Sequence, residues 1–354
     1  MARNARLRIG FVGAGTMGQC AHLKNYAVLS DCEVVALAEL REELGRKVAA
    51  RYGVPRVYKT HREMLDAEEL DAIVASQPFT RHGVLLPELL RTGKPVFCEK
   101  PLAGCIEVGE KIVQAEKAGG AFLMVGYHKR SDPAVMYAKQ RIDALRKSRE
   151  LGRLTYVRIL MPPGDWIAGG FDDLIKTDET TPMLESDPPA SDMDSRSFDL
   201  YLRFVNYYIH QINLIRHLLG ETYRVTYAAS SGVMLAVETA GGATGVIEMS
   251  PYTTTLDWQE EALVCFEHGY LKVSLPPPLA LNRPGRLEIL CDPGKGATPE
   301  TTVPELPRVH AMRQQAMNFI KAVRGESPPL CTAQEALEDL TNAWEYFRLR
   351  YPPL

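Results

Sequence analysis

The apolar positions of the first 127 residues fall in short unbroken runs separated by helical spacing. Residues 7–12 (LRIGFV), 33–38 (EVVALA), 71–76 (DAIVAS), 95–98 (PVFC) and 121–126 (AFLMVG) make five such runs. Between them, residues 16–29, 41–53, 80–93 and 104–120 place apolar side chains three and four apart, and glycine closes several of these stretches. Residues 60–65 open a further short helix with a capping box, Thr60 and Glu63. Strands apolar along their whole length, alternating with helices, predict a parallel sheet covered on both faces.

After Gly126 the pattern changes. Asp132 and Pro133 start a helix to about residue 147, a strand follows at 154–161, and a long helix runs over 198–219. Residues 222–292 alternate with glycine turns as an antiparallel sheet does, and helices at 309–324 and 333–349 close the chain. The last begins with a second capping box, Thr332 and Glu335. Residues 162–196 form an irregular stretch rich in Pro, Gly, Asp and Ser; so long a connection is functional or disordered. The expected fold is therefore α/β. A doubly wound N-terminal domain covers 1–127, and an α+β domain with a large, mainly antiparallel open sheet covers 128–354, its last helices packing back on the first domain.

Composition narrows the partners. A formal net charge of -3 over 354 residues gives no general attraction to nucleic acid or an anionic membrane, which leaves small molecules and copies of the chain itself. The basic, then apolar, first residues imitate a leader, but glycines break the run and no clear cleavage site follows; no segment has the length to span a bilayer. The seven cysteines are odd in number and form no Cys-x-x-Cys pair, so neither a disulfide framework nor a metal site is expected. They suit the reducing cytoplasm.

Two elements carry candidate chemistry in the first domain. GAGTMG places Gly13, Gly15 and Gly18 in G-x-G-x-x-G spacing, with Thr16 and Met17 inside the loop, directly between a predicted strand and a helix. The first glycine allows the tight turn, the second the approach of a pyrophosphate, the third helix–strand packing, and the helix start offers N–H groups to phosphate. Glu39 ends the second strand 21 residues past Gly18, where a carboxylate accepts from a ribose 2′-hydroxyl. It would repel a 2′-phosphate, which favours NAD; Arg41, two residues on, keeps NADP as the alternative. The second element is Glu99-Lys100-Pro101. It leaves the fourth strand at the carboxyl edge of the sheet, where ligands of such sheets bind, and Pro101 stiffens the turn.

In the second domain, Asn206, His210, Asn213 and His217 fall at i, i+4, i+7 and i+11 of the long helix, one polar stripe on an apolar element. His217 is read as a packing or surface residue. The two histidines lack a third ligand at metal spacing. His128 and Arg130 follow the fifth strand as contacts to substrate or cofactor, with a structural role for Arg130 as the alternative. Trp166 offers a face to a sugar ring, and Asp165 offers acceptors to its hydroxyls.

GAGTMG, ASQPFTRH (75–82), GKPVFCEKPLA (93–103), GYHKRSDP (126–133) and NFIKAVRGESPPLCTAQEALEDL (318–340) together resemble the Gfo/Idh/MocA oxidoreductases. The resemblance implies a Rossmann domain and transfer of hydride between NAD(P) and a secondary hydroxyl of a sugar, glycoside or inositol-like polyol. It implies a catalytic Lys100 in a lysine–proline bond that is often cis, and Glu99 near the nicotinamide ribose. Gln77, Pro78 and His82 would line the cofactor. His210 takes the place of the family's acid/base, while Asn206 stands where relatives commonly carry aspartate. Tyr207 joins the expected substrate contacts, and a homodimer or homotetramer is implied. Two other activities stay open: a hydrolase or lyase that retains NAD and oxidises a sugar transiently, and a non-catalytic NAD-binding sensor.

Overall fold

The computed structural model describes residues 6–294 and 296–352. The first five residues, where the leader-like basic start falls, lie outside these, as do the outer limits 1 and 354 of the two expected domains. The chain divides into two compact units. The first comprises residues up to Tyr127, Gly169–Leu202 and Met312–Leu340; the second comprises His128–Ala168, Arg203–Ala311 and the chain from Thr341.

In the first unit, β1 (Leu7–Val12) leads into a helix that is π-helical over Gly18–Leu23 before α1 (Lys24–Tyr26). Then follow β2 (Cys32–Ala38), α2 (Glu42–Tyr52), β3 (Arg56–Tyr58), α3 (His61–Ala67) and β4 (Ala72–Ala75). After these come α4 (His82–Leu90), β5 (Val96–Cys98), α5 (Ile106–Gly119) and β6 (Leu123–Val125). Among the described residues the sheet has six strands in the order β3-β2-β1-β4-β5-β6, all parallel. The order reverses between β1 and β4, the switch point at which such sheets open a crevice at their carboxyl edge. The short strand β3 has no counterpart in the sequence expectation. Its three half-exposed residues pair only with β2 and carry no apolar run.

The helix Ala311–Val323 (α8) supplies the middle of this unit's core from the far end of the chain. Phe319 is fully buried and meets Tyr26, Phe97 and Phe122 edge-on, with ring centroids 6.4, 5.7 and 6.0 Å away. Beyond it, Val125 donates to the Cys331 carbonyl at 3.0 Å, so the chain covers the β6 edge before α9 (Ala333–Arg350) begins. The box at α9 is reciprocal: Thr332 N–H donates to Glu335 at 2.9 Å, and Glu335 N–H to the Thr332 hydroxyl at 3.2 Å. Residues 169–202 belong here rather than with the second domain in which the sequence placed them. Polar bonds fasten them to this unit: Asp187 accepts from Gly83 N–H at 2.9 Å, and the Ser191 hydroxyl donates to Glu107 at 2.8 Å.

The second unit contains α6 (Pro133–Ser148), β7 (Leu154–Leu160), most of α7 (Ser195–Leu219), β8 (Tyr223–Ala228), β9 (Met234–Thr239) and β10 (Thr244–Glu248). It continues with β11 (Glu260–Phe266), β12 (Gly269–Leu275), β13 (Arg286–Cys291) and β14 (Glu300–Thr302). Among the described residues these strands form one eight-stranded sheet, β14-β13-β12-β11-β7-β10-β9-β8. Neighbours are antiparallel except β7 and β10. Val157, Ile159, Ala262, Val264, Leu271 and Val273 are buried while the residues between them are at least partly exposed, the alternation of a sheet with one covered face. A methyl group added at Gly245 of β10 would lie 2.7 Å from both Ile215 and Val237, so α7 presses close against that face. No helix among the described residues is long and apolar enough to cross a membrane.

Candidate active site

The glycine loop turns directly out of β1. Gly13 has φ +95°, a conformation glycine adopts without strain, and its N–H bonds the Ala38 carbonyl at 2.9 Å. A Cβ at Gly13 would strike Gln77 and the Ser76 carbonyl; one at Gly18 would strike the Gly13 carbonyl oxygen. At Gly15 a Cβ would meet nothing within 4 Å. Two glycines are thus demanded by the fold, and the third stands at an open face where a pyrophosphate could approach. Thr16, exposed, and Met17, half-buried, begin the helix. The loop fits a dinucleotide on every point that the motif requires.

Glu39 lies beside this loop and is buried. Its carboxylate accepts from Ala14 N–H at 2.8 Å, from Arg41 Nε at 2.7 Å and from Arg41 Nη2 at 3.1 Å. The arginine that could have answered a 2′-phosphate is therefore engaged by the carboxylate that suits a 2′-hydroxyl.

Beyond the switch point, the loops after β4 and β5 are tied together. His82 is fully buried, and its Nδ1 bonds the Leu102 carbonyl at 3.0 Å; burial pushes its pKa down against several backbone hydrogen bonds. That bond ties His82 to the end of the Glu99–Leu102 turn. Gln77 accepts from Arg81 at 3.0 Å, and Pro78 accepts from Arg81 N–H at 3.0 Å. Lys100 and Pro101 are joined by a cis bond, and Lys100 is half-buried. Glu99 accepts from Lys100 N–H at 3.0 Å and bonds the ring of His22, itself buried on the helix that the glycine loop opens. Burial pushes the Glu99 carboxyl up, but the bond from His22, with His22 and Lys100 nearby, outweighs it and holds the pKa below its ordinary value.

In the second unit, a short 3₁₀ turn at His128–Ser131 meets the polar stripe of α7. His128 packs edge-on against His210, with ring centroids 4.6 Å apart. Arg130 is buried and donates from Nε to Asn213 at 2.8 Å. Lys129 pairs with buried Glu260, which also accepts from Gln211 at 2.7 Å. His210 and Tyr207 are half-buried and Asn206 is exposed. Burial raises the Tyr207 hydroxyl and lowers His217, whose neighbours Arg130, Lys139 and Arg216 add to the effect. Asp165 accepts the N–H groups of Ile167 and Ala168 at 3.0 and 3.1 Å, so it shapes the turn that carries Trp166. Among the described residues no group of three or more His, Cys, Asp and Glu could hold a metal ion.

Residues 7–127 match the family model described as "Oxidoreductase family, NAD-binding Rossmann fold", GFO_IDH_MocA. This part of the chain is similar to the NAD-binding domain of the Gfo/Idh/MocA oxidoreductases. Among its relatives is the inositol 2-dehydrogenase/D-chiro-inositol 3-dehydrogenase of Shouchella clausii, 34% identical over 39% of this chain and 40% of that protein. The inositol 2-dehydrogenase of Burkholderia lata is 26% identical over 81% of this chain and 80% of its own. Over the first two curated relatives the chain spans only 40% and 41% of their length. The structure of the WlbA dehydrogenase of Bordetella pertussis, in complex with NADH and UDP-GlcNAcA, has the same fold: TM-score 0.68, 20% identity, covering 98% of this chain and 97% of that one.

Two features of this chain escaped the sequence reading. His22 was not singled out, although it lies one turn past Gly18 and its partner Glu99 is 77 residues away. Residues 162–196 were read as one irregular stretch of the second domain, but those from Gly169 on group with the first unit. The acidic residues there were visible; their helix-end partners were not.

Proposed function

We propose that the protein is an NAD-dependent dehydrogenase of a secondary hydroxyl on a sugar, glycoside or inositol-like polyol. One observation carries the reading: Lys100 closes β5 at the sheet edge that holds the glycine loop, and Glu99 beside it is fixed by His22 of the loop's own helix. The inositol dehydrogenases among the relatives and the NADH of the WlbA dehydrogenase support the substrate class and the cofactor.

The nicotinamide cofactor, when bound, would supply the acceptor for hydride from the substrate carbon. The hydroxyl on that carbon must lose its proton, and Lys100 in its neutral form takes it. Glu99 positions the turn and the nicotinamide ribose. Glu39 would accept from the adenosine ribose, and the helix start at Thr16 and Met17 would hold the pyrophosphate. Gln77 and Pro78 would line the cofactor, with His82 bracing the neighbouring Glu99–Leu102 turn. His210, set by His128, moves a proton to or from the substrate, and Asn206 and Tyr207 orient its hydroxyls. Asparagine cannot supply the charge by which an aspartate would stabilise imidazolium, so the main proton transfer falls to Lys100. Trp166 contacts a ring face, while Arg130 acts through Asn213. Self-assembly as a dimer or tetramer and a cytoplasmic site of action complete the proposal.

The test is a panel of inositols, sugars and glycosides with NAD, following absorbance of the reduced cofactor and analysing products. One polyol or sugar class should reduce NAD. Lys100→Ala and His210→Ala should each lower turnover by about 10²-fold or more while NAD still binds. Full turnover in Lys100→Ala, or no reduction with any compound, overturns the reading. Release of an aglycone without net reduced cofactor would instead decide for an eliminating enzyme that keeps its NAD, an alternative favoured by the segment fastened over the nucleotide unit.

A further inference from the structure

Within the first unit, the segment after Gly169 runs along the starts of helices that follow the parallel strands. Lys24 pairs with Asp173 at 3.0 Å, and Gln19 and Ile175 exchange bonds of 3.1 and 3.2 Å. At α2 the contact is a carboxylate. Glu179 accepts the N–H groups of Glu43 and Leu44 at 3.0 and 2.9 Å, and the Thr177 hydroxyl donates to it at 3.1 Å. Those amides are the second and third of a helix of 11 residues whose cap is Arg41, the positions a capping side chain normally serves. Arg41 itself offers no side-chain cap.

The loop between β2 and α2 has two features that could hold the 2′-phosphate of NADP: the helix N–H groups and the Arg41 guanidinium. Both are already occupied by carboxylates of the chain, the amides by Glu179 and the arginine by Glu39. The bond from Glu43 N–H, with further bonds and Arg41 nearby, holds the Glu179 carboxyl below its ordinary value, so it is charged at neutral pH.

We propose that Glu179 is a specificity-determining residue, a second carboxylate that works with Glu39 to exclude dinucleotides bearing a 2′-phosphate. The proposal rests on the dinucleotide reading of the glycine loop and Glu39. A 2′-hydroxyl needs only an acceptor, which Glu39 supplies. A 2′-phosphate adds about 1.5–2 negative charges and must either displace Glu179 from the helix end or lie beside it. Both options weaken binding of NADP and leave NAD largely untouched.

The test measures dissociation constants of NAD, NADP and 2′-AMP for the full chain by calorimetry, with wild type and Glu179→Gln. The amide keeps an acceptor for one N–H and removes the charge. The ratio of NADP to NAD dissociation constants should fall about tenfold, equivalent to about 1.4 kcal/mol, and 2′-AMP should tighten in parallel. NAD itself should move less than about twofold. Thr177→Val, which removes one bond to Glu179 without touching charge, should shift the ratio in the same direction by less, and it guards against a Glu179 variant that loosens the segment. A ratio unmoved in both variants, or a wild type that prefers NADP, overturns the proposal. A wild type that binds neither dinucleotide overturns the underlying reading as well, whereas NAD binding with an unmoved ratio overturns the proposal alone.

Discussion

Replacing His22 by alanine removes the hydrogen bond that holds the buried Glu99 carboxylate. Glu99 is 8% exposed and His22 2%, so water cannot replace the lost donor without opening the site. Lys100 N–H remains at 3.0 Å. Loss of a hydrogen bond to a charged group costs about 1.5–3 kcal/mol, and removal of one partner of a buried pair about 3–5 kcal/mol. With one donor left, Glu99 belongs where those ranges meet, at about 3 kcal/mol. The edge-on contact between His22 and Phe97, with centroids 5.2 Å apart, adds at most about 1 kcal/mol.

The sign of the pH dependence makes the prediction specific. In the wild type the Glu99 pKa lies below its ordinary 4.5, so its contribution is present above that value and is lost as pH falls through the folded-state value. Without His22, burial is the dominant influence and the folded-state pKa rises above 4.5. The variant is then penalised most at neutral pH and recovers as pH falls. Urea unfolding followed by far-ultraviolet circular dichroism, at about pH 7 and about pH 5, should give a penalty that shrinks at the lower pH. Glu99→Gln and the double variant complete the cycle, and the coupling should be about 2–3 kcal/mol. A penalty equal at both pH values, or single effects additive within about 0.5 kcal/mol, would refute the account of the pair.

Gly18→Ala should disrupt the loop and lower both the melting temperature and NAD affinity, because its methyl group meets the Gly13 backbone; Gly15→Ala should leave melting unchanged and weaken NAD about tenfold or more, because its methyl group meets only the open face. Phe319→Ala should cost about 3–5 kcal/mol in chemical denaturation, since the ring is fully buried among three others. Burial pushes Asp132 up to about 6 against an ordinary 3.8, outweighing its bonds from Ala134 and Gly285. Its charged form is thus disfavoured in the folded state, and the penalty present above about pH 6 is relieved as pH falls toward 3.8. Asp132→Asn should therefore stabilise the protein by on the order of 2 kcal/mol at about pH 8, with the gain vanishing near pH 4; thermal melts across that range check it.

The parallel sheet was legible because each central strand is apolar along its length: buried on both faces, β1, β2 and β4 need no polar side to announce themselves. The glycine loop was legible because its geometry is local, fixed within six consecutive residues, and Glu39 because one helix and one strand set its distance from Gly18. What stayed hidden depends on contacts without local periodicity. The bond between His22 and Glu99 joins residues that only the strand order brings together. The parallel pairing of β7 with β10 spans a long helix and two strands, and nothing in either strand's alternation distinguishes a parallel neighbour from an antiparallel one. The π-helical start of the first helix leaves the same residue types on view as an α-helix would.

The segment after Gly169 shows why composition misled where pattern did not. Its Pro, Gly, Asp and Ser content suggested a functional or disordered connection within the second domain, but a carboxylate satisfies a helix start by the same physics with which that start attracts phosphate. Glu179 takes the amides of α2, and Asp187 takes an amide in the first turn of α4. At the start of the glycine-loop helix the segment brings a neutral contact, Gln19 with Ile175, and its Asp173 carboxylate pairs with Lys24 further along. In the proposed reading that division has a consequence. Helix starts that must not capture the dinucleotide's phosphates are answered by the chain's own anions, while the start that must capture them is approached by an uncharged group. The acidic character of the segment then works as a filter for where phosphate can settle, and the ratio of NADP to NAD affinity measures how well it does so.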